Sequence, residues 1–417
     1  MLLVLGLLAV IDLIVGVSND AVNYLNSSIG SKAVSFKTTM IVASLGVLVG
    51  AMFSSGMMEI ARSGIFVPSM FSFNDVMIIF LAVMISDILL LDVFNSLGLP
   101  TSTTVSIIFE LLGAAVCLAL YKIYTSDETL DHLGMYINTK KASTIVYSIL
   151  LSVILSFSLG SFIQYISRLI FTFHYEKKLK YFGAIFGGVA ITAITFFILI
   201  KGLKGVSFIS AAQFEWIDQH QFLILGVNFV VFLILSQVLI SYFKVNILRV
   251  IIVIGTFALA LAFAGNDLVN FIGVPIAAFN SYQIFQGSGV SGDEFMMGAL
   301  ANDDIVAPFY FLLFAGVVMV ITLWTSKKAK SVIETGVNLS RQGDGDEKFT
   351  PNTASRFIVR LGVYIGQAIN VFLPKKLQIK IDSRFVNLEK SKKKSDDEPA
   401  FDMVRASVNL MVASILI

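Results

Sequence analysis

A short polar motif occurs twice in otherwise apolar surroundings. Residues 19–25 read NDAVNYL and residues 266–272 read NDLVNFI, so both copies share Asn-Asp-x-Val-Asn followed by an aromatic and an aliphatic residue. A carboxylate inside a lipid-spanning segment is costly unless it is paired or faces a polar cavity. The repetition therefore predicts a functional site built from both copies. The alternative is that these side chains only cap helices or join neighbouring helices.

A glycine lies shortly before each copy, Gly16 before the first and Gly265 before the second. We expect the two helices to break at these glycines. Internal repeats with broken helices, and with substrate and coupling-ion sites near the middle of the bilayer, recur among transporters. The pattern therefore favours a transport protein.

A cluster of hydroxyl side chains follows a proline in residues 98–106, which read GLPTSTTVS. Pro100 interrupts a helix, and we expect the hydroxyls to lie in the first turn of the next one. The exposed N–H groups and the positive dipole end of a helix N-terminus attract anions. The cluster therefore predicts an anion site, and the alternative is an ordinary N-cap after a turn.

The elements that hold these residues must be membrane helices. Of the 417 residues, 56% are hydrophobic and 14% are charged, and the mean hydropathy is +0.85, whereas a soluble domain carries roughly 25% charged residues. The net charge of +2 gives no basic field that would suggest nucleic-acid binding. A single cysteine and three scattered histidines argue against a disulfide framework and against a resident metal or haem.

Apolar runs near the length of about 20 residues that crosses a bilayer recur along the chain. They cover residues 1–17, 38–58, 76–97, 105–124, 142–173, 182–200, 222–243, 248–264 and 305–324. Helices pair their own backbone groups inside lipid, so we expect an all-α polytopic bundle.

The predicted organisation has four parts. Residues 1–203 form the first transmembrane repeat and the spans after it, and residues 204–325 hold the remaining spans with the second motif. Residues 326–402 form a basic segment, which the positive-inside bias places in the cytoplasm. Its apolar stripe at residues 357–372 predicts an amphipathic helix that lies on the membrane surface or packs on the protein. Residues 403–417 resemble the start of a further span, so we expect the chain to be truncated.

At these motifs the chain resembles the inorganic phosphate transporter (PiT) family of sodium- or proton-coupled permeases. Residues 16–33 read GVSNDAVNYLNSSIGSKA and residues 264–278 read AGNDLVNFIGVPIAA, similar to the two copies of the family's G-A-N-D-V-A-N signature. Residues 100–104 resemble its P-V-S-T-T element, and residues 328–335 resemble the basic stretch after a late span. Ser18 and Asn26 depart from the family's alanine and glycine, and a second P-x-S-T-T element is absent.

The resemblance implies a bundle of two inverted repeats that binds phosphate and cations between them, in a multi-pass protein of the plasma or inner membrane. It implies symport of inorganic phosphate with Na⁺, favoured over H⁺, by alternating access, with no enzymatic activity, no cofactor and a possible homodimer. The implied cation ligands are Asn19, Asp20, Asn266 and Asp267, and the implied phosphate ligands are Asn23, Ser102, Thr103, Thr104 and Asn270.

Two other functions remain open at this point. Hydroxyls and helix ends do not distinguish phosphate from another oxyanion such as sulfate, and a receptor or scaffold would use the basic segment to recruit a partner.

Further polar residues lie inside the predicted spans. Asp87 and Asp92 either line a pathway or pair with other helices, Glu110 is a candidate for the cavity lining, and Arg168 is expected to reach the interface.

Overall fold

The structure is a computed structural model that describes residues 1–52, 54, 64–126, 129–199, 211–301, 309–343, 349–386 and 398–416. Across these residues it contains fifteen α-helices, three short 3-10 helices and no β-strand. The prediction of an all-α protein is confirmed.

The helices are numbered here in chain order. They are α1 Leu2–Ser31, α2 Phe36–Met52, α3 Phe73–Ser96, α4 Thr103–Thr125, α5 Leu133–Tyr136, α6 Thr139–Phe171, α7 Glu176–Phe197, α8 Ala211–Gln219, α9 Gln221–Ser241, α10 Ile247–Gln286, α11 Phe309–Thr325, α12 Lys327–Leu339, α13 Thr353–Phe372, α14 Lys375–Asp382 and α15 Met403–Leu416. The 3-10 helices are Pro68–Met70, Leu130–His132 and Met297–Ala301.

Seven of the described helices are long and apolar enough to cross a membrane, namely α1, α3, α4, α6, α7, α9 and α10. Helices α11 and α12 together would make an eighth span, with a bend of 70° between them. The protein is therefore a multi-pass membrane protein. Of the predicted spans at 38–58 and 305–324, residues 53, 55–58 and 305–308 lie outside the described part of the chain.

The two helices that carry the motifs are continuous, so the prediction of breaks at Gly16 and Gly265 is wrong. Helix α1 runs through the first motif, and α10 runs through the second and past Pro275. Gly16 serves close packing instead, because the ring of Phe271 occupies the space that a Cβ atom at residue 16 would need. The 70° bend in the described chain lies at Ser326, between α11 and α12.

Helices α1 and α10 form the centre of the bundle. Helices α2, α3, α11, α12 and α15 pack around them, while α6 and α9 lie at the periphery. The apolar side chains of α9 are largely exposed, and Phe222 is 91% exposed. In a membrane protein such a surface faces lipid, since acyl chains are as apolar as the side chains.

The segment after residue 325 is only partly separate from the bundle. Helix α12 packs against α1 with Ala329 and Val332 buried. Helix α13 matches the predicted amphipathic helix, and its apolar side chains, such as Phe357, are exposed. Among the described residues we find no helix packed closely against α13.

The chain returns to the bundle just before α15. The N–H of Ala400 donates to the carbonyl of Gly30 at 2.8 Å, and Arg168 pairs with Asp402 at 2.7 Å. The prediction that Arg168 reaches the membrane interface is wrong, because the side chain is buried and its charge is balanced by Asp402.

Candidate functional site

The hydroxyl cluster forms the first turn of α4, as its sequence predicts. The connection after α3 contains Gly98, whose φ of 64° lies in the left-handed region that favours glycine. Ser102 is the N-cap of α4, and its hydroxyl oxygen accepts a hydrogen bond from the N–H of Val105 at 3.3 Å. The N–H groups of Thr103 and Thr104 stand in this first turn, where a helix leaves its donors without intrahelical partners.

Asn19 of the first motif holds this connection against α1. Its Nδ2 donates to the carbonyl of Leu99 at 3.0 Å and to Oδ1 of Asn95 at 2.8 Å, while its Oδ1 accepts from the N–H of Thr101 at 2.7 Å. Asn95 in turn donates from Nδ2 to the carbonyl of Val15 at 2.7 Å. Both asparagines are buried. Two side-chain amides therefore fix where α4 begins.

Side chains from three helices then meet at that first turn. Thr103 Oγ1 donates to Asp20 Oδ2 at 2.9 Å. Asn270 of the second motif donates from Nδ2 to Thr104 Oγ1 at 3.0 Å and lies 3.4 Å from Thr103 Oγ1. The first motif, the hydroxyl cluster and the second motif thus share one hydrogen-bonded chain, which we call the Asp20–Asn270 network (Asp20, Thr103, Thr104 and Asn270).

The network has a buried side and an open side. Asp20, Thr103 and Asn270 are buried, whereas Ser102 and Thr104 are exposed. The hydroxyl hydrogens of Ser102 and Thr104 are not used in the contacts above, in which both oxygens act as acceptors. The open side therefore offers neutral donors, and a carboxylate lies directly behind it.

Comparison with known proteins assigns the chain to a family. The profile of the phosphate transporter family matches residues 16–339, a region that includes both motifs and the hydroxyl cluster. The chain belongs to the phosphate transporter family. The resemblance seen in the sequence motifs is confirmed.

Relatives of this phosphate transporter family member are described as phosphate permeases. Proteins named "putative phosphate permease" are 30% identical over 273 residues in Pyrococcus abyssi and 28% identical over 278 residues in Thermococcus kodakarensis. Each of these alignments covers 63% of this chain and 62% of the relative, so the chain spans less than two thirds of their length. A third, in Pyrococcus furiosus, is 24% identical over 371 residues, with 85% of this chain and 80% of the relative covered.

A solved structure shares the fold. It is described as a sodium-dependent phosphate transporter, with a TM-score of 0.55 and 18% identity over 100% of this chain and 98% of the other. At that identity the likeness establishes the fold alone.

Of the other predicted ligands, Asn19 and Ser102 adjoin the network, and three are not part of it. Asn23 is exposed and has no hydrogen bond to the network among the described residues. Asn266 is half-buried, and the side chain of Asp267 lies outside the described part of the structure. The roles predicted for these residues as cation or phosphate ligands stay predictions.

Sequence reasoning missed two residues that position the site. Asn95 supports Asn19, and its signal was a lone amide at the end of an apolar span, just ahead of the proline turn. Ser326, at the bend between α11 and α12, lies with its Oγ 2.8 Å from the Oγ of Ser18, next to the first motif. The bend therefore contacts the helix that carries Asp20.

The described residues contain no group of three or more His, Cys, Asp or Glu side chains arranged to hold a metal ion. Oxygen ligands suit hard cations.

Proposed function

We propose that this protein is a symporter that carries inorganic phosphate together with a cation, Na⁺ in preference to H⁺, across a cell membrane. The observation that carries the proposal is the Asp20–Asn270 network, in which both motif copies contact the first turn of α4. A purely structural pair of motifs would not need to converge on a helix N-terminus bearing hydroxyl groups.

Phosphate would bind on the open side of the network. Ser102 and Thr104 supply hydroxyl hydrogens there, and α4 supplies its first N–H groups and the positive end of its dipole. Asn270 holds Thr104 in place through a hydrogen bond of 3.0 Å. This set of donors contains no Lys or Arg, so it does not neutralise the charge of the anion.

The cation supplies the missing positive charge. Phosphate near Asp20 meets a buried carboxylate, and the two negative charges repel each other in a medium of low dielectric constant. A cation bound between them attracts both. Its binding therefore raises phosphate affinity, and by linkage phosphate raises cation affinity by the same factor.

Two further features belong to the proposal. Alternating access would come from movement of one repeat against the other around the network. The basic segment at residues 326–402 would lie on the cytoplasmic side, since it carries the greatest excess of Lys and Arg beside a span.

The test is uptake of labelled phosphate into proteoliposomes, with and without a Na⁺ gradient, by the wild type and the Asp20→Asn variant. We expect a Na⁺ gradient to drive uptake in the wild type, and we expect the variant to lose this dependence because it lacks the charge that holds the cation. Asp92→Asn is the matched control, since the side chain of Asp92 is 48% exposed and pairs with Lys328 at 2.6 Å.

Two outcomes would contradict the proposal. Uptake that keeps its full Na⁺ dependence in Asp20→Asn would show that the cation binds elsewhere. Inhibition of phosphate uptake by an equal concentration of sulfate to half its rate would make the protein a general oxyanion carrier.

A further inference from the structure

Three acidic side chains converge inside the bundle, away from the motifs. Asp12 lies on α1, Asp87 on α3 and Glu110 on α4. Asp12 and Asp87 are both 0% exposed, and Glu110 is half-buried. The carboxyl groups of Asp87 and Glu110 lie near enough to that of Asp12 for their charges to act on it. We call these residues the carboxyl triad.

The hydrogen bonds of Ser106 require a proton on one member of the triad. Ser106 Oγ lies 2.7 Å from Asp87 Oδ1 and 2.8 Å from Glu110 Oε1. A serine hydroxyl carries one hydrogen, which can be donated to one of these oxygens only. The second contact is a hydrogen bond only when that carboxyl is protonated and donates to Ser106.

The surroundings of Asp12 also favour a protonated carboxyl group. Neither of its carboxyl oxygens meets a hydrogen-bond donor from the protein, and the same is true of Asp87 Oδ2 and Glu110 Oε2. An ionised, unpaired carboxylate in such a place would carry the full cost of desolvation.

No basic side chain balances the triad among the described residues. Lys122 of α4 pairs with Asp75 of α3, and Lys328 of α12 pairs with Asp92 of α3. Both lysines therefore balance other carboxylates. On α1 the nearby charged group is Asp20, which is also acidic and acts on Asp12.

Helix α10 packs against α1, α3 and α4 and carries three titratable residues. Arg249 lies at its N-terminus, Tyr282 is 39% exposed, and the side chain of Asp267 is outside the described part of the chain. Neither Arg249 nor Tyr282 forms an ion pair with the triad. Three ionised carboxylates would therefore repel one another with no described cation to compensate.

We propose that Asp12, Asp87 and Glu110 form a proton-binding site inside the membrane bundle, in which the hydroxyl of Ser106 joins Asp87 to Glu110. The hydroxyl of Ser106 contacts an oxygen of Asp87 and an oxygen of Glu110 but has one hydrogen, so the geometry fits a proton bound by the carboxyl groups. The site lies on the same three helices that position Asp20 and the first turn of α4, yet it includes none of the residues of the Asp20–Asn270 network.

Its consequence for transport rests on the proposed function. Loss of a proton from the triad adds a negative charge that attracts a cation at Asp20, since Asp20 and Asp12 already interact electrostatically. Cation affinity should thus rise with pH, and a cation bound at Asp20 should favour release of the proton.

The direct test is infrared spectroscopy of the purified full chain in lipid, which distinguishes the C=O stretch of a protonated carboxyl from ionised carboxylates. At neutral pH we expect a protonated-carboxyl band that shifts downward in D₂O. It should lose intensity in Asp12→Asn, Asp87→Asn or Glu110→Gln, and it should change frequency in Ser106→Ala, which removes the shared hydroxyl but no carboxyl.

Asp92→Asn is the control, because Asp92 lies on the same helix as Asp87 but forms a surface ion pair. Absence of the band in the wild type, or a band that all four triad-directed variants leave unchanged, overturns the proposal. The readout does not depend on transport. A protein that fails to carry phosphate yet shows the band therefore contradicts the proposed function and supports the proton site.

In a protein that does carry phosphate, the apparent Na⁺ affinity of the wild type should fall as the pH is lowered. Glu110→Gln should weaken this dependence, since it removes one titratable member of the site. A Na⁺ affinity that varies with pH to the same extent in the wild type and in all three carboxamide variants would contradict the link between the site and transport.

Discussion

Replacing Asn19 by alanine should loosen the connection that starts α4. The side chain forms three hydrogen bonds, to Asn95, Leu99 and Thr101, at 2.8, 3.0 and 2.7 Å. A typical hydrogen bond contributes about 1 kcal/mol net, and a buried partner left without one costs more. The free energy of unfolding should therefore fall by about 3 kcal/mol in Asn19→Ala.

The change can be measured by denaturant unfolding of the purified protein in mixed micelles. Asn23→Ala is the matched control for stability, since Asn23 lies one turn further along α1 but is exposed. We expect this control to change stability by less than about 0.5 kcal/mol, as surface substitutions usually do.

A double-mutant cycle isolates the contact between Asn19 and Asn95. The two side chains share a hydrogen bond, so the effects of Asn19→Ala and Asn95→Ala should be non-additive by about 1 kcal/mol. The Asn19→Ala variant should also bind phosphate more weakly, because the first turn of α4 is held less firmly. If this costs about 1.4 kcal/mol of binding free energy, the affinity for phosphate falls tenfold.

A loss below about 1 kcal/mol in Asn19→Ala, or additive effects in the cycle, would refute the reasoning. Either result would mean that the connection after α3 keeps its position without the amide of Asn19.

Two more predictions concern the site and the bundle. Thr104→Val removes the hydroxyl that the proposed function assigns to phosphate and the acceptor for Asn270, so the phosphate concentration for half-maximal uptake should rise about tenfold. Thr125→Val, at the other end of α4, should leave this concentration unchanged, and equal effects of both changes would contradict the assignment. Arg168→Met leaves Asp402, whose side chain is 18% exposed, without its ion-pair partner but with the N–H of Arg405 at 2.9 Å, so the free energy of unfolding should fall by up to about 3 kcal/mol. Thermal unfolding followed by size-exclusion chromatography should show the loss, and an unchanged unfolding temperature would mean that the pair contributes nothing.

The sequence by itself determined the class of the protein and the position of its chemistry along the chain. Long apolar runs separated by polar breaks predict membrane helices, because the length and hydropathy of a span are properties of consecutive residues. The N-cap at Ser102 was predictable for the same reason, since proline, hydroxyl groups and a following apolar run are local signals.

The extent of the motif helices was not predictable in this way. Gly16 suggested a break, but only the packed structure places the ring of Phe271 against it. A glycine permits a break and permits close approach equally well, and the neighbour decides between them. The bend in the described chain instead falls at Ser326, where no glycine stands.

Tertiary structure alone decided the partners of the buried polar groups. Asp20 meets Thr103, Asp87 meets Glu110 through Ser106, and Arg168 meets Asp402, and each of these pairs joins parts of the chain that are far apart or lie on neighbouring helices. Such contacts depend on how each helix is rotated and how far it is shifted along its neighbours. The hydropathy pattern predicts which face of a helix is apolar, but it does not determine that rotation and shift. The charged residues could therefore be identified from the sequence, whereas their partners could not.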